Sequence, residues 1–83
     1  MPLFMDIHYR VAGLTALGVA QAHMRDLEVQ ARHRVRFLNY WYDERSGRVF
    51  CLFEGPSAEA GDACHREAHG LIADEITEVS EGA

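Results

Sequence analysis

The segment Cys51–Gly70, CLFEGPSAEAGDACHREAHG, sets the frame for the rest of the chain. It reads as the end of a β-strand, a turn and an α-helix. Gly55-Pro56 stops the strand, because proline has no N–H to offer a neighbouring strand and holds its own φ. Ser57 falls at the helix N-cap, where a hydroxyl can accept from a free N–H of the first turn. Ala60 stands where a capping box would have Glu, so only half of that motif is present. Glu59 and Asp62 put negative charge near the positive end of the helix dipole. Gly70 offers the left-handed backbone that commonly ends a helix. Within this frame His65 and His69 are four residues apart and project from one face on successive turns. Two imidazoles so placed can share a metal ion, or they are polar side chains on a solvated helix flank. Gly61, Cys64 and Ala68 form a small-residue stripe beside them, and Cys64 reads as a small buried hydrophobe.

Upstream, Leu3 to Arg10 alternates as a strand does, with Leu3, Met5, Ile7 and Tyr9 on one side and Phe4, Asp6, His8 and Arg10 on the other. Asp6 and His8 therefore share a face. They either pair with each other or offer a carboxylate and an imidazole to a metal. Thr15 suits an N-cap, and Leu17, Ala20, Met24, Leu27 and Ala31 follow at helical spacing as an apolar stripe expected to face the core. His23 and Asp26, at i and i+3 beside that stripe, can chelate or simply form a surface pair. Val35–Asp43 is rich in β-formers, with Phe37, Asn39 and Trp41 on one face and Leu38, Tyr40 and Tyr42 on the other. Glu44-Arg45-Ser46-Gly47 reads as a hairpin turn, and Arg48–Glu54 returns antiparallel. Glu75–Val79 makes a last strand, bulged or merely short, since Ile76 and Val79 differ in parity.

Strand, helix, strand, strand, helix, strand is the order of an α+β, ferredoxin-like βαββαβ domain, with one antiparallel sheet and both helices on one face. The 83 residues make a single domain, 1–83. The open sheet face and its aromatics point to a second subunit as its cover. A formal net charge of −5 argues against a nucleic-acid partner, although Arg32, His33, Arg34 and Arg36 cluster locally. No apolar run is long enough to span a membrane, and the first residues lack a basic n-region and an apolar h-region. A cytoplasmic location is expected, and with it free thiols at Cys51 and Cys64.

Five blocks taken together carry a resemblance: FMDIH at Phe4–His8, the helix with His23 and Asp26, the YWYD segment around Trp41, CLFEGPS at Cys51–Ser57, and HREAHG at His65–Gly70. In that order and spacing the chain resembles the small bacterial ferredoxin-like nickel-binding proteins. The resemblance implies a homodimer that binds nickel ions at the protein surface, to sequester or store them and not to catalyse. His33 and Cys64 stand outside the pattern.

The residues themselves supply the candidate ligands. His65 and His69 from the helix, His8 and Asp6 from the first strand, His23 and Cys51 can converge on a divalent ion. Imidazole with carboxylate suits Ni²⁺, Cu²⁺ and Zn²⁺ alike, so nickel follows from the resemblance alone. Zincin-type hydrolysis is disfavoured, because Arg66 stands where that motif needs Glu. The competing function is a small dimeric enzyme of oxygenase or isomerase type. It would use His8 or His65 as a base, with Tyr9, Tyr40 or Trp41 lining a pocket at the sheet face. A plain interaction module is the third reading.

Overall fold

The computed structural model describes residues 1–82. The elements are β1 (Leu3–His8), α1 (Ala16–Val29), a 3-10 turn (Gln30–His33), β2 (Arg36–Asp43), β3 (Arg48–Glu54), α2 (Ala58–Ala68) and β4 (Glu75–Val79). The strands form one sheet in the order β2-β3-β1-β4, and every neighbouring pair is antiparallel. This is the ferredoxin-like α+β arrangement that the order of elements implied. The expected caps are present. Thr15 accepts from the Gly18 N–H at 3.0 Å and Ser57 from the Ala60 N–H at 3.2 Å. Gly70, at φ +82°, closes α2 with its N–H on the His65 carbonyl.

Phe53 is the centre of the core, fully buried, with Phe4 and Phe37 rings at 5.3 and 5.2 Å. α2 lies directly over it. A Cβ at Gly61 would sit 2.2 Å from Phe53 Cζ, so only glycine lets the helix come this close. The small-residue stripe thus performs the task expected of it, and Cys64 is buried beside it.

Two expectations are corrected, the inward face of α1 and the strict alternation of β2. The stripe of α1 faces the other way: Leu17, Met24 and Leu27 are 68%, 60% and 38% exposed, while Val19 and Asp26 turn inward. Helical periodicity is the same for either face. The phase is set by bonds from Asp26 to α2, which hydropathy cannot register. In β1 the mixed face, Phe4, Asp6 and His8, is buried under the helices, and Leu3, Met5 and Ile7 lie on the partly covered side. In β2 a register shift between Phe37 and Asn39 breaks the alternation, so Phe37 and Tyr40 oppose Phe53 and Cys51 on the helix side. Leu38 is the extra residue, and Asn39 and Trp41 face the open side. β4 pairs with β1 without a shift, so it is short and not bulged.

Candidate metal centre

Four elements carry acidic, imidazole or thiol groups toward one point under the helices. Asp6 and His8 alternate into it from β1, and Cys51 faces it from β3 as the register partner of Asp6. Asp26 descends from the inner face of α1, and His65 and His69 come from α2. Asp6, His65 and Asp26 are 0%, 1% and 2% exposed. The reading of His65 as part of a solvated helix flank therefore fails. The 11-residue α2 lies flat on Phe53, so its inward arc includes position 65 as well as Gly61 and Cys64.

His65 is the hub. Its Nε2 lies 2.8 Å from Asp6 Oδ2 and its Nδ1 2.9 Å from Asp26 Oδ1. A neutral imidazole has one N–H, so both contacts are hydrogen bonds only when the ring is the imidazolium. Burial alone would push this histidine down. Hydrogen bonds to Asp26 and Asp6 outweigh it and raise the pKa to about 12. For Asp6, burial works upward, but the His65 and His8 rings hold the carboxyl below its ordinary value. Asp26 is likewise lowered against its burial by His65 and His69.

The remaining contacts distinguish the two ends of the cluster. His69 Nδ1 accepts from the Leu71 N–H at 3.1 Å, so in the neutral ring Nε2 carries the proton and faces Asp26 Oδ2 at 3.3 Å. At the other end His8 Nε2 is 3.3 Å from Asp6 Oδ1, close but not aimed as a hydrogen bond. That oxygen is buried without a donor. An unpartnered carboxylate oxygen in an interior is costly, and a cation is the natural complement. Burial pushes the Cys51 thiol up to about 12, so it is a thiol until something displaces its proton.

Two donor groups result, each drawn together within 4.8 Å: Asp6, His8, Cys51 and His65, and separately Asp26, His65 and His69. His65 belongs to both. Five of the six candidate ligands read from the sequence thus converge on this cluster, and His23 does not. Its ring lies against Tyr40 at 4.7 Å, and burial lowers its pKa. Asp26 is the residue that sequence reasoning coupled only to His23, as a chelating or a surface pair. The available signal was its place seven residues after Val19, on the same helix face. His33 is remote from the cluster and pairs with Glu67 at 2.7 Å. Cys64 stays outside both groups, its Sγ 3.7 Å from the Asp26 carbonyl oxygen.

His8, Cys51, Asp26 and His69 are among the residues lining a partly open pocket of about 230 Å³ beneath α1, and Asp6 and His65 are not. This pocket is on the helix-covered side, not on the open sheet face where the competing enzyme reading put one.

The fold and the cluster define a ferredoxin-like α+β domain with a buried histidine–carboxylate–thiol centre of metal-ligand type. The chain belongs to the SCO4226-like family: the family model described as "Nickel responsive protein SCO4226-like" matches residues 4–79. It is similar to the crystal structure of SCO4226 from Streptomyces coelicolor A3(2), with 46% identity, a TM-score of 0.90, and coverage of 98% of this chain and 99% of that one. No curated protein matches the chain. Among the described residues, no helix is long and apolar enough to cross a membrane.

Proposed function

We propose that the protein binds a nickel ion at the buried cluster and holds it in a buffering or sequestering role. The observation that carries this reading is the donor-less Asp6 Oδ1 beside His8, Cys51 and the hub His65. Within this group Asp6, His8 and His65 would hold the ion, with Cys51 as a further donor once its proton is lost. His65 can give up the proton on Nε2 and keep the one on Nδ1, which stays on Asp26. A carboxylate behind a ligating imidazole fixes the ring and raises its basicity. His69, in turn, would position Asp26. Ligation through His69 Nε2 would instead move a proton to Nδ1 and cost the Leu71 N–H bond. Imidazole and carboxylate donors fit Ni²⁺ but equally Cu²⁺ and Zn²⁺, and the family description favours nickel.

On this reading the ion would lie inside the domain, whereas the resemblance implies sites at the protein surface. Among the described residues, the two groups of three or more close donors are these.

The rest of the reading is a cytoplasmic homodimer. Leu3, Met5 and Ile7 of β1, Phe50 and Leu52 of β3 and Trp41 of β2 share the sheet face away from the helices, and Trp41 is 49% exposed. Burying such a face stabilises by about 25 cal/mol per Å² of apolar area. Light scattering should give twice the chain mass at micromolar concentration, and a monomer there contradicts the dimer.

For the metal, nickel titration of chelator-stripped protein tests the assignment. His8→Ala and Asp6→Asn should each weaken binding by about tenfold or more, the effect of losing a direct ligand. His33→Ala should bind like wild type. If Asp6→Asn and His8→Ala bind nickel unchanged, the ion is not held by this group. Loss confined to His69→Ala would move it to the Asp26 end.

A further inference from the structure

The pocket beneath α1 is open to solvent on one side, and its wall has two parts. Val11, Leu14, Val19, Ala22, Val49 and Leu71 make the apolar part. Polar groups join them: Thr15, Cys51, the imidazoles of His8, His23 and His69, the Tyr40 phenol, and one carboxylate, Asp26. Among the described residues, no arginine or lysine lines it.

Charge decides what such a pocket takes. Asp6 and Asp26 are both buried, and carboxylate oxygens at 2.8 and 2.9 Å from the two ring nitrogens make His65 an imidazolium. Two carboxylates against this one imidazolium leave an excess of one negative charge. Asp6 Oδ1 has no donor, and Asp26 brings the excess charge to the pocket wall. An ionised carboxylate accepts about four hydrogen bonds, whereas Asp26 faces only His65 at Oδ1 and His69 at Oδ2. It keeps acceptor capacity for a further donor.

Water enters from the open side, so the ligand is selected by charge and shape. An anion is repelled by the excess negative charge. A bare inorganic cation gains nothing from the apolar wall, but a cation with an apolar body uses both parts. His23 and Tyr40, with ring centroids 4.7 Å apart, add π surface of the kind that attracts an ammonium group. Burial holds the His23 pKa below its ordinary value, so at pH 7 that ring is neutral and does not oppose a cation. The pocket volume of about 230 Å³ exceeds the roughly 150 Å³ of a cavity that takes up benzene, so a single ring fits.

We infer that this pocket is a binding site for a small primary amine with a one-ring apolar body, held by its ammonium group on Asp26 and by its ring against the apolar wall. No metal takes part, so the site stands or falls separately from the nickel reading.

The test is calorimetric titration of the full, chelator-stripped chain at neutral pH with benzylamine, benzyl alcohol, benzoate and methylamine. Benzylamine should bind at least about tenfold tighter than benzyl alcohol, as expected for a hydrogen bond to a charged group. Benzoate should be weaker still. Methylamine carries the same charge without the ring and should bind at least about tenfold more weakly than benzylamine. Asp26→Asn, which keeps the shape and removes the charge, should abolish the preference for benzylamine over benzyl alcohol. Two variants outside the buried cluster keep the test decisive if that one fails to fold. Ala22→Leu, which fills the pocket, should weaken both benzyl ligands by about tenfold or more. Tyr40→Leu should weaken benzylamine about two- to fivefold more than benzyl alcohol, the share of the aromatic face. No benzylamine binding at millimolar concentration overturns the inference, as does benzyl alcohol or benzoate binding equally well. Methylamine matching benzylamine, or benzylamine binding unchanged by Ala22→Leu, also overturns it, because the amine is then held on the acidic surface and not in the pocket.

Discussion

His65→Ala in the chelator-stripped protein isolates the energetics of the cluster from the metal. The wild-type ring is 1% exposed and bridges two buried carboxylates at 2.8 and 2.9 Å. Truncation leaves both carboxylates without their main counter-charge. Removing one partner of a buried ion pair costs about 3–5 kcal/mol, and the low end applies here because His8 and His69 can take up part of the charge. A chain of 83 residues has a total stability of about 4–12 kcal/mol, so this loss is a large share of it. In a melting experiment about 3 kcal/mol corresponds to a fall in Tm of roughly 12–24 °C. The pH dependence carries the mechanism. The raised His65 pKa contributes stability that is complete below the unfolded value of 6.5 and is lost as pH rises toward about 12. The depressed Asp6 and Asp26 values contribute stability present above 3.8 and lost as pH falls through their folded values. In the variant the orphaned carboxylates instead gain from protonation, so its deficit should be largest near pH 7 and shrink toward about pH 4.5. Circular dichroism melts of both proteins across that range provide the comparison. A deficit under about 1 kcal/mol at pH 7, or one that does not change with pH, refutes the bridging role of His65.

Nickel affinity should rise about tenfold per pH unit between roughly pH 7 and 8.5, because the ion must displace the proton that the carboxylates hold on His65. Competition with a chelator of known pH dependence measures this, and a flat profile removes His65 from the ligand set. Gly61→Ala should lower stability by about 1–2 kcal/mol, since the clash with Phe53 exceeds the helix-propensity gain of alanine. A variant as stable as wild type in denaturant unfolding would mean that α2 shifts freely. Both thiols are buried and raised, Cys51 to about 12 and Cys64 to about 11. A disulfide-exchange reagent should therefore label neither until the metal-free protein unfolds, and rapid labelling of either contradicts this burial.

Local chemistry in the chain determined the order of elements, their caps and hence the fold. Gly55-Pro56, Ser57, Gly61 and Gly70 each act within a turn or two of themselves, and Thr15 and Gly47 do the same elsewhere. The residue types and spacing of Asp6, His8, His65 and His69 likewise marked a candidate site, because alternation and the helical turn dictate which side chains share a face. Tertiary structure alone decided which face was inside. In β1 and α1 the buried side carries Asp6, His8 and Asp26 in place of the more apolar alternative. A hydropathy pattern counts each carboxylate and imidazole as a cost of burial. It cannot count the bonds that Asp6, 59 residues away, and Asp26, 39 residues away, make to His65. Those bonds turn three polar groups into one buried unit. They exist only when β1, α1 and α2 are stacked together, which is why His23 and Asp26 read alike in the sequence and only Asp26 joins the centre.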